Sequence, residues 1–251
     1  MRALRASIVV ETVKAGRAAT LWVTTLITVL GVTGICTSVL TAIQSGRTDL
    51  TIKLGPLGTT ADWTTLLSVG SQITAAGGVL SLGIGLSWLV GREFAQSTIQ
   101  SLFGLPVSPA QSVAGKFVVF FAWAVMLAVL IPTGLLIGGL ACGLGWPDEY
   151  AWGGLVRTAA LIPLSALLAT PCAWVTTLGR NLLTGVATAI GLIMVAEGGA
   201  MVVPTNSFPF TAPAVWALGS APALGLALTP VVGVVFILLT IFTWRRLQLD
   251  R

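Results

Sequence analysis

Six stretches of this chain are apolar and long enough to cross a bilayer, and no other feature restricts its fold as much. A helical crossing needs about 20 predominantly apolar residues, and such runs lie at 18–43, 63–90, 117–143, 155–178, 182–203 and 221–244. Only 8% of the residues are charged and 55% are hydrophobic, whereas a soluble domain is about a quarter charged. In hydrocarbon the backbone must satisfy its own hydrogen bonds, so runs of this kind read as helices. The expectation is an all-α integral membrane protein, a single domain over 1–251 with six transmembrane helices. The second and third runs are long enough to tilt or to extend past the lipid.

The cations test this map by their distribution. The termini and the segments 91–116 and 179–181 carry Arg2, Arg5, Lys14, Arg17, Arg92, Lys116, Arg180, Arg245, Arg246 and Arg251, ten of the thirteen Lys and Arg residues. The other side receives Arg47, Lys53 and Arg157, together with Asp49, Asp62, Asp148 and Glu149. By the positive-inside rule both termini are cytoplasmic, in a plasma (inner) membrane. The net charge of +5 therefore reads as orientation and contact with membrane lipid, not as a nucleic-acid surface. Segment 1–17, MRALRASIVVETVKAGR, sets Leu4, Ile8 and Val9 against Arg5, Glu11 and Lys14, the pattern of a short helix lying in the interface. The apolar run behind it is too long for a signal peptide and lacks a cleavage signature, so it reads as an uncleaved first span.

Several chemistries have no support. Histidine is absent, and Cys36, Cys142 and Cys172 sit apart in apolar surroundings, as buried thiols do; neither a disulfide nor a metal is expected. Gly115-Lys116-Phe117 lacks the GxxxxGK[ST] arrangement that cradles nucleotide phosphates, and the acidic residues are too scattered for a magnesium site. No cofactor is expected in this chain, and no enzymatic activity of its own. Small-residue pairs at Gly134/Gly138, Gly139/Gly143 and Ala187/Gly191 allow close helix approach in lipid. Pro132, Pro163, Pro171 and Pro230 are expected to kink or break their spans.

Between the second and third runs the sequence reads GREFAQSTIQSLFGLPVSPAQSVAGK. On a helix over 92–105, Phe94, Ile99, Leu102, Phe103 and Leu105 share one half of the circumference. Glu93, Gln96, Ser97, Gln100 and Ser101 share the other, and Pro106 stops the helix. Helices in bundles are usually joined by about 2–8 residues, and this connection is far longer, so it reads as a surface that something grips. Glu93, Ser97-Thr98, a leucine-bearing turn, Pro106-Val107-Ser108-Pro109 and Lys116 opening the next span resemble the cytoplasmic loop of ABC-2 type transporter permeases. Six spans and an amphipathic N-terminal elbow helix are also similar to that family. Two positions depart from its pattern: Ser97 replaces the glycine of Gly-Thr, and Pro109 stands where Pro-x-Ser-Arg has its arginine.

The resemblance implies the membrane subunit of an ATP-driven exporter. It would pair with a second copy or a paralogue and be clasped by two copies of a cytoplasmic ABC ATPase that hold the ATP and magnesium. Residues 91–109 would be the coupling loop, with Arg92, Glu93, Phe94, Gln96, Thr98, Leu102 and Phe103 as the ATPase-coupling positions. Phe94, Leu102 and Phe103 would rest on the membrane while Glu93, Gln96 and Gln100 face the ATPase. An amphipathic drug, peptide or lipid-like molecule would suit spans of this composition as substrate. A channel or secondary transporter acting alone, or a scaffold subunit, are the competing classes.

Polar groups inside the spans are few. Glu197, in IMVAEGGAMVV, lies about 24 Å up a helix from Asn181, near the outer leaflet, and an intramembrane carboxylate is a functional candidate. Thr20/Thr24/Thr28 and Thr33/Thr37/Thr41 repeat every fourth residue on nearly opposite faces. Such hydroxyls bond the carbonyl one turn earlier or a neighbouring helix, and Thr24 and Thr28 are candidates for a polar path with Glu197. Segment 204–220 is apolar for a wet loop; Phe208, Phe210 and Trp216 read as an outer re-entrant or interfacial element that either closes the outer end or anchors it. Trp146 and Trp152 on the same side read as an aromatic belt.

Overall fold

The computed structural model describes residues 2–46, 60–96, 108–203, 207–221 and 224–246. Nine helices occur among the described residues: α1 (Arg2–Gly16), α2 (Ala19–Gln44), α3 (Trp63–Ala95), α4 (Pro109–Ala141), α5 (Glu149–Leu168), α6 (Thr170–Gly179), α7 (Leu182–Val202), α8 (Ala212–Ala217) and α9 (Leu224–Arg245). Six crossings are long and apolar enough to span a membrane: α2, α3, α4, the α5–α6 pair, α7 and α9.

Side-chain caps fix where the spans begin. Asp62, Asp148 and Asn181 each accept a hydrogen bond from a backbone N–H of the helix they open, at 2.8, 2.7 and 3.0 Å, satisfying donors that have no intrahelical partner. Ser108 does the same for α4 in a reciprocal capping box with Gln111. Pro109 occupies the first turn, where its fixed φ and missing N–H cost nothing. The proline that replaces the family's arginine is thus a helix-start residue.

α3 and α4 are longer than their apolar runs. Each has 33 residues, about 50 Å against a hydrocarbon core of about 30 Å. α3 runs on to Ala95 and α4 begins at Pro109. This corrects the expectation of one surface helix over 92–105: residues 92–95 are the last turn of α3, continuous with the span, and 97–105 lie outside the described residues.

α3 is the hub, packed against α2, α4, α5, α6 and α7. Glycines make those approaches. A Cβ at Gly134 or Gly138 would collide with the methyl of Thr33 or Thr37, and one at Gly139 with the Trp63 indole. Gly143 is not the second half of a packing pair; it has φ +80° and ends the α4 exit turn, a conformation suited to glycine. On α7 the packing pair is Gly185 and Ala189, seated against Ser87 and Gly83, one face round from the expected Ala187/Gly191. Pro132 and Pro230 lie within continuous helices. The fourth crossing breaks at Ala169, two residues before Pro171.

Hydroxyls share the interior with an apolar core, and large apolar side chains also cover the outside. Ser71, Thr74, Ser87, Thr158 and Thr176 are buried between helices, whereas Ile27, Leu30, Leu183 and Met194 face outward. The threonine hydroxyls of α2 bond carbonyls one turn earlier, as such residues do in apolar surroundings. α1, the α3 exit, the α4 start and the α9 exit meet at one end of the bundle. α8 packs on α3, α5 and α9 at the other.

Candidate functional site

The site begins with a close helix crossing. A Cβ on Gly115 of α4 would stand 2.7 Å from Ser7 Oγ and 3.4 Å from the Ile8 amide nitrogen, so glycine lets α1 lie directly on α4. Ser7 Oγ donates to the Gln111 carbonyl at 3.2 Å. One turn further along α1, Glu11 meets Lys116, whose ammonium donates to Glu11 Oε2 at 3.0 Å and to Glu93 Oε1 at 2.6 Å. Arg92 donates to Glu11 Oε2 at 2.7 Å and lies over the Trp88 ring, 4.8 Å from its centroid. Lys14 closes the cluster from the solvent edge, 3.2 Å from Glu11 Oε1 and 3.8 Å from Glu93 Oε1.

Lys116 is fully buried, and Glu11 and Glu93 are only 2% and 3% exposed. Buried charges of this kind persist when paired and cost several kcal/mol per ion when they are not. Among the described residues three cations face two carboxylates. Burial alone pushes the Glu11 carboxyl up; the Lys116 ammonium, then Arg92 and Lys14, outweigh it and hold the group below the usual glutamate value.

The next residue fastens a fourth helix. Phe94 meets Trp244 of α9 edge-on, centroids 5.9 Å apart, and the Trp244 indole N–H donates to Thr177 Oγ1 of α6 at 3.0 Å. The final turn of α3 is therefore tied to α1, α4 and α9, and through Trp244 to α6.

Arg92, Glu93 and Phe94 all lie in the last turn of α3, and two of them point elsewhere than the helical wheel suggests. Glu93 does not face outward; it is buried against Lys116, because a long cation on the neighbouring helix can neutralise it there. Phe94 does not rest on a membrane surface; its ring fills the gap in front of Trp244. Gln96 is exposed and caps the end of α3, while Thr98, Leu102 and Phe103 lie outside the described residues.

Glu11 is the member that sequence reasoning missed. The interfacial pattern groups it with Arg5 and Lys14 opposite Leu4, Ile8 and Val9, yet Ser7, Glu11, Ala15 and Ala18 form the face turned into the protein, and Val9, Val10 and Val13 are exposed. The signal was present: the small residues of 1–17 recur at helical spacing on the side of its one acid.

At the other end, Glu197 lines a cleft of about 290 Å³ between α3, α7 and α8, with Phe210. Phe208 meets Phe210 at a tilt, ring centroids 5.5 Å apart, and occupies the space that a Cβ on Gly199 would need. Thr24 and Thr28 are not brought to this cleft. Thr24 bonds the Thr20 carbonyl, and Thr28 bonds the Thr24 carbonyl and Ser81 Oγ of α3, both at 2.7 Å.

The sequence model of the ABC-2 family transporter protein matches residues 7–198, a span that holds the whole charge cluster. The chain belongs to the ABC-2 transporter family, and it is an integral membrane permease of the ABC transporter kind. No curated protein matches it.

Proposed function

We propose that this chain is the membrane half of an ATP-driven exporter, worked by a separate cytoplasmic ABC ATPase that seats on residues 91–109. The observation that carries the reading is the buried charge cluster at the root of that segment. Arg92 and Glu93 at its start and Lys116 beyond its end are locked to each other and to Glu11. A partner that displaces the segment cannot move one helix alone. It moves α1, α3 and α4 as a body, and through Phe94 and Trp244 it pulls on α9. Rigid-body rocking of packed helices is a standard way for such a displacement to reach the far side of a membrane.

Orientation is consistent with this. Arg5, Lys14, Arg17, Arg92, Lys116, Arg180, Arg245 and Arg246 belong to the end of the bundle where α1 lies, and by the positive-inside rule this supports a cytoplasmic placement of that end. Two ATPase copies would serve a pair of permeases, identical or paralogous. In this reading Gln96, Thr98, Leu102 and Phe103 meet the ATPase, whereas Arg92, Glu93 and Phe94 pass the movement on. The cargo is an amphipathic drug, peptide or lipid-like molecule.

The test is co-purification with a candidate cytoplasmic ABC ATPase, wild type against a Leu102→Asp/Phe103→Asp variant. Retention of the ATPase by the wild type and its loss from a folded variant supports the reading. Capture that ignores the loop, or transport that follows an ion gradient without ATP, contradicts it.

A further inference from the structure

The cleft beneath α8 joins features that the coupling mechanism does not use. Its lining includes the apolar side chains of Val79, Leu192 and Phe210, the polar side chains of Gln72 and Thr211, and one ionisable group, Glu197. Glu197 and Gln72 are both exposed, so the cleft opens to the outside of the bundle. The wall above it is fixed. Phe208 is keyed over Gly199, and Thr229 Oγ1 donates to the Pro209 carbonyl at 3.0 Å, tying the 207–211 turn to α9. A carboxylate at membrane depth is costly and is retained where it meets a cation, a polar path or water. Among the described residues no cation lines this cleft.

We infer that the cleft is a binding site for a small amphipathic monocation, its charge held by Glu197 and its apolar body lying against Val79, Leu192 and Phe210. Three observations select this occupant. One carboxylate with no lining cation among the described residues matches one positive charge, and the Phe210 ring in the lining can add a cation–π contact. The apolar lining matches a body that arrives from the lipid. The volume of about 290 Å³ lies at the low end for small-molecule sites, about 300–1,000 Å³, which fits one drug-sized molecule and not a folded peptide. The inference rests on the permease reading and narrows its cargo from amphipathic molecules in general to cationic ones of small size.

The probe is tetraphenylphosphonium, with tetraphenylborate as a control of nearly the same shape and opposite charge. Binding is measured on the full chain in nanodiscs, without ATPase, after subtracting empty nanodiscs. The wild type is expected to bind the phosphonium and not the borate. Glu197→Gln raises the phosphonium Kd about tenfold, the scale of one Coulombic contact between unit charges near a protein surface, and Glu197→Asp restores much of it. Ala196→Trp fills the cleft and abolishes binding while the melting temperature stays near wild type. Equal affinity for the borate overturns the inference, as does an unchanged Kd in Glu197→Gln, or no phosphonium binding because a lipid chain or a second copy occupies the cleft. Capture of the ATPase by the same variants is scored separately, so failure of this site and failure of the permease reading give different results.

Discussion

The two ends of this bundle use carboxylates in opposite ways. At the end that holds α1, Glu11 and Glu93 are buried, each bonded to Lys116, where α1, α3 and α4 converge, and Phe94 beside them ties in α9. At the other end Glu197 stands exposed on α7, a helix that buries only Gly185 and Ala189 among its neighbours. The first arrangement resists movement, because separating any two partners leaves a charge in a low dielectric. The second has almost nothing to lose when a ligand arrives or a helix shifts. A machine that takes force at one end and changes access at the other needs this asymmetry.

The sharpest way to break the contrast is Lys116→Ala. It removes the fully buried cation that bonds both Glu11 and Glu93 and leaves Glu11 to Arg92 and Lys14; loss of one member of a buried pair costs about 3–5 kcal/mol, and the expected result is a large fall in thermal unfolding midpoint in nanodiscs. Next is Gly115→Leu, which forces α1 off α4 and is expected to cost about 1–3 kcal/mol by overpacking, read by the same melt and by protease access to 1–17.

Glu11→Gln comes third, and pH sharpens it. Because the folded-state pKa of Glu11 is lowered, its stabilisation is fully present above the ordinary glutamate value, about 4.3. It is lost as pH falls through the lower folded value. The wild-type melt is expected to fall on the acid side more steeply than that of Glu11→Gln, and parallel curves would refute the pairing. Smallest is Glu197→Gln: with no partner among the described residues lining its cleft, it should change stability by no more than about 0.5 kcal/mol. A large loss there would mean that the carboxylate is structural and would erase the contrast.

The spans were legible because hydrocarbon imposes length and polarity on them, and all six crossings appear where the apolar runs lie. Their ends were less so. Past the lipid, α3 and α4 are carried by capping and by ion pairs, and hydropathy is blind to both; Ser108-Pro109 and Gln111 show the cap only once the helix start is known. Glu93 was found but aimed outward, since a helical wheel treats charge as a mark of solvent and does not see Lys116 on another helix. The wheel failed on α1 for the same reason, because in a membrane protein the polar face can be the inner one. Gly115 was weighed only as part of a nucleotide motif, while its use is steric.

The central claim is that the charge cluster transmits force between the 91–109 segment and the spans. The most direct measurement is permease-dependent ATP turnover in the reconstituted complex with Glu11→Gln, at a temperature where the variant is folded. The account predicts that the ATPase is captured as by wild type, while its turnover falls to that of the ATPase without permease. Wild-type turnover in that variant would contradict it.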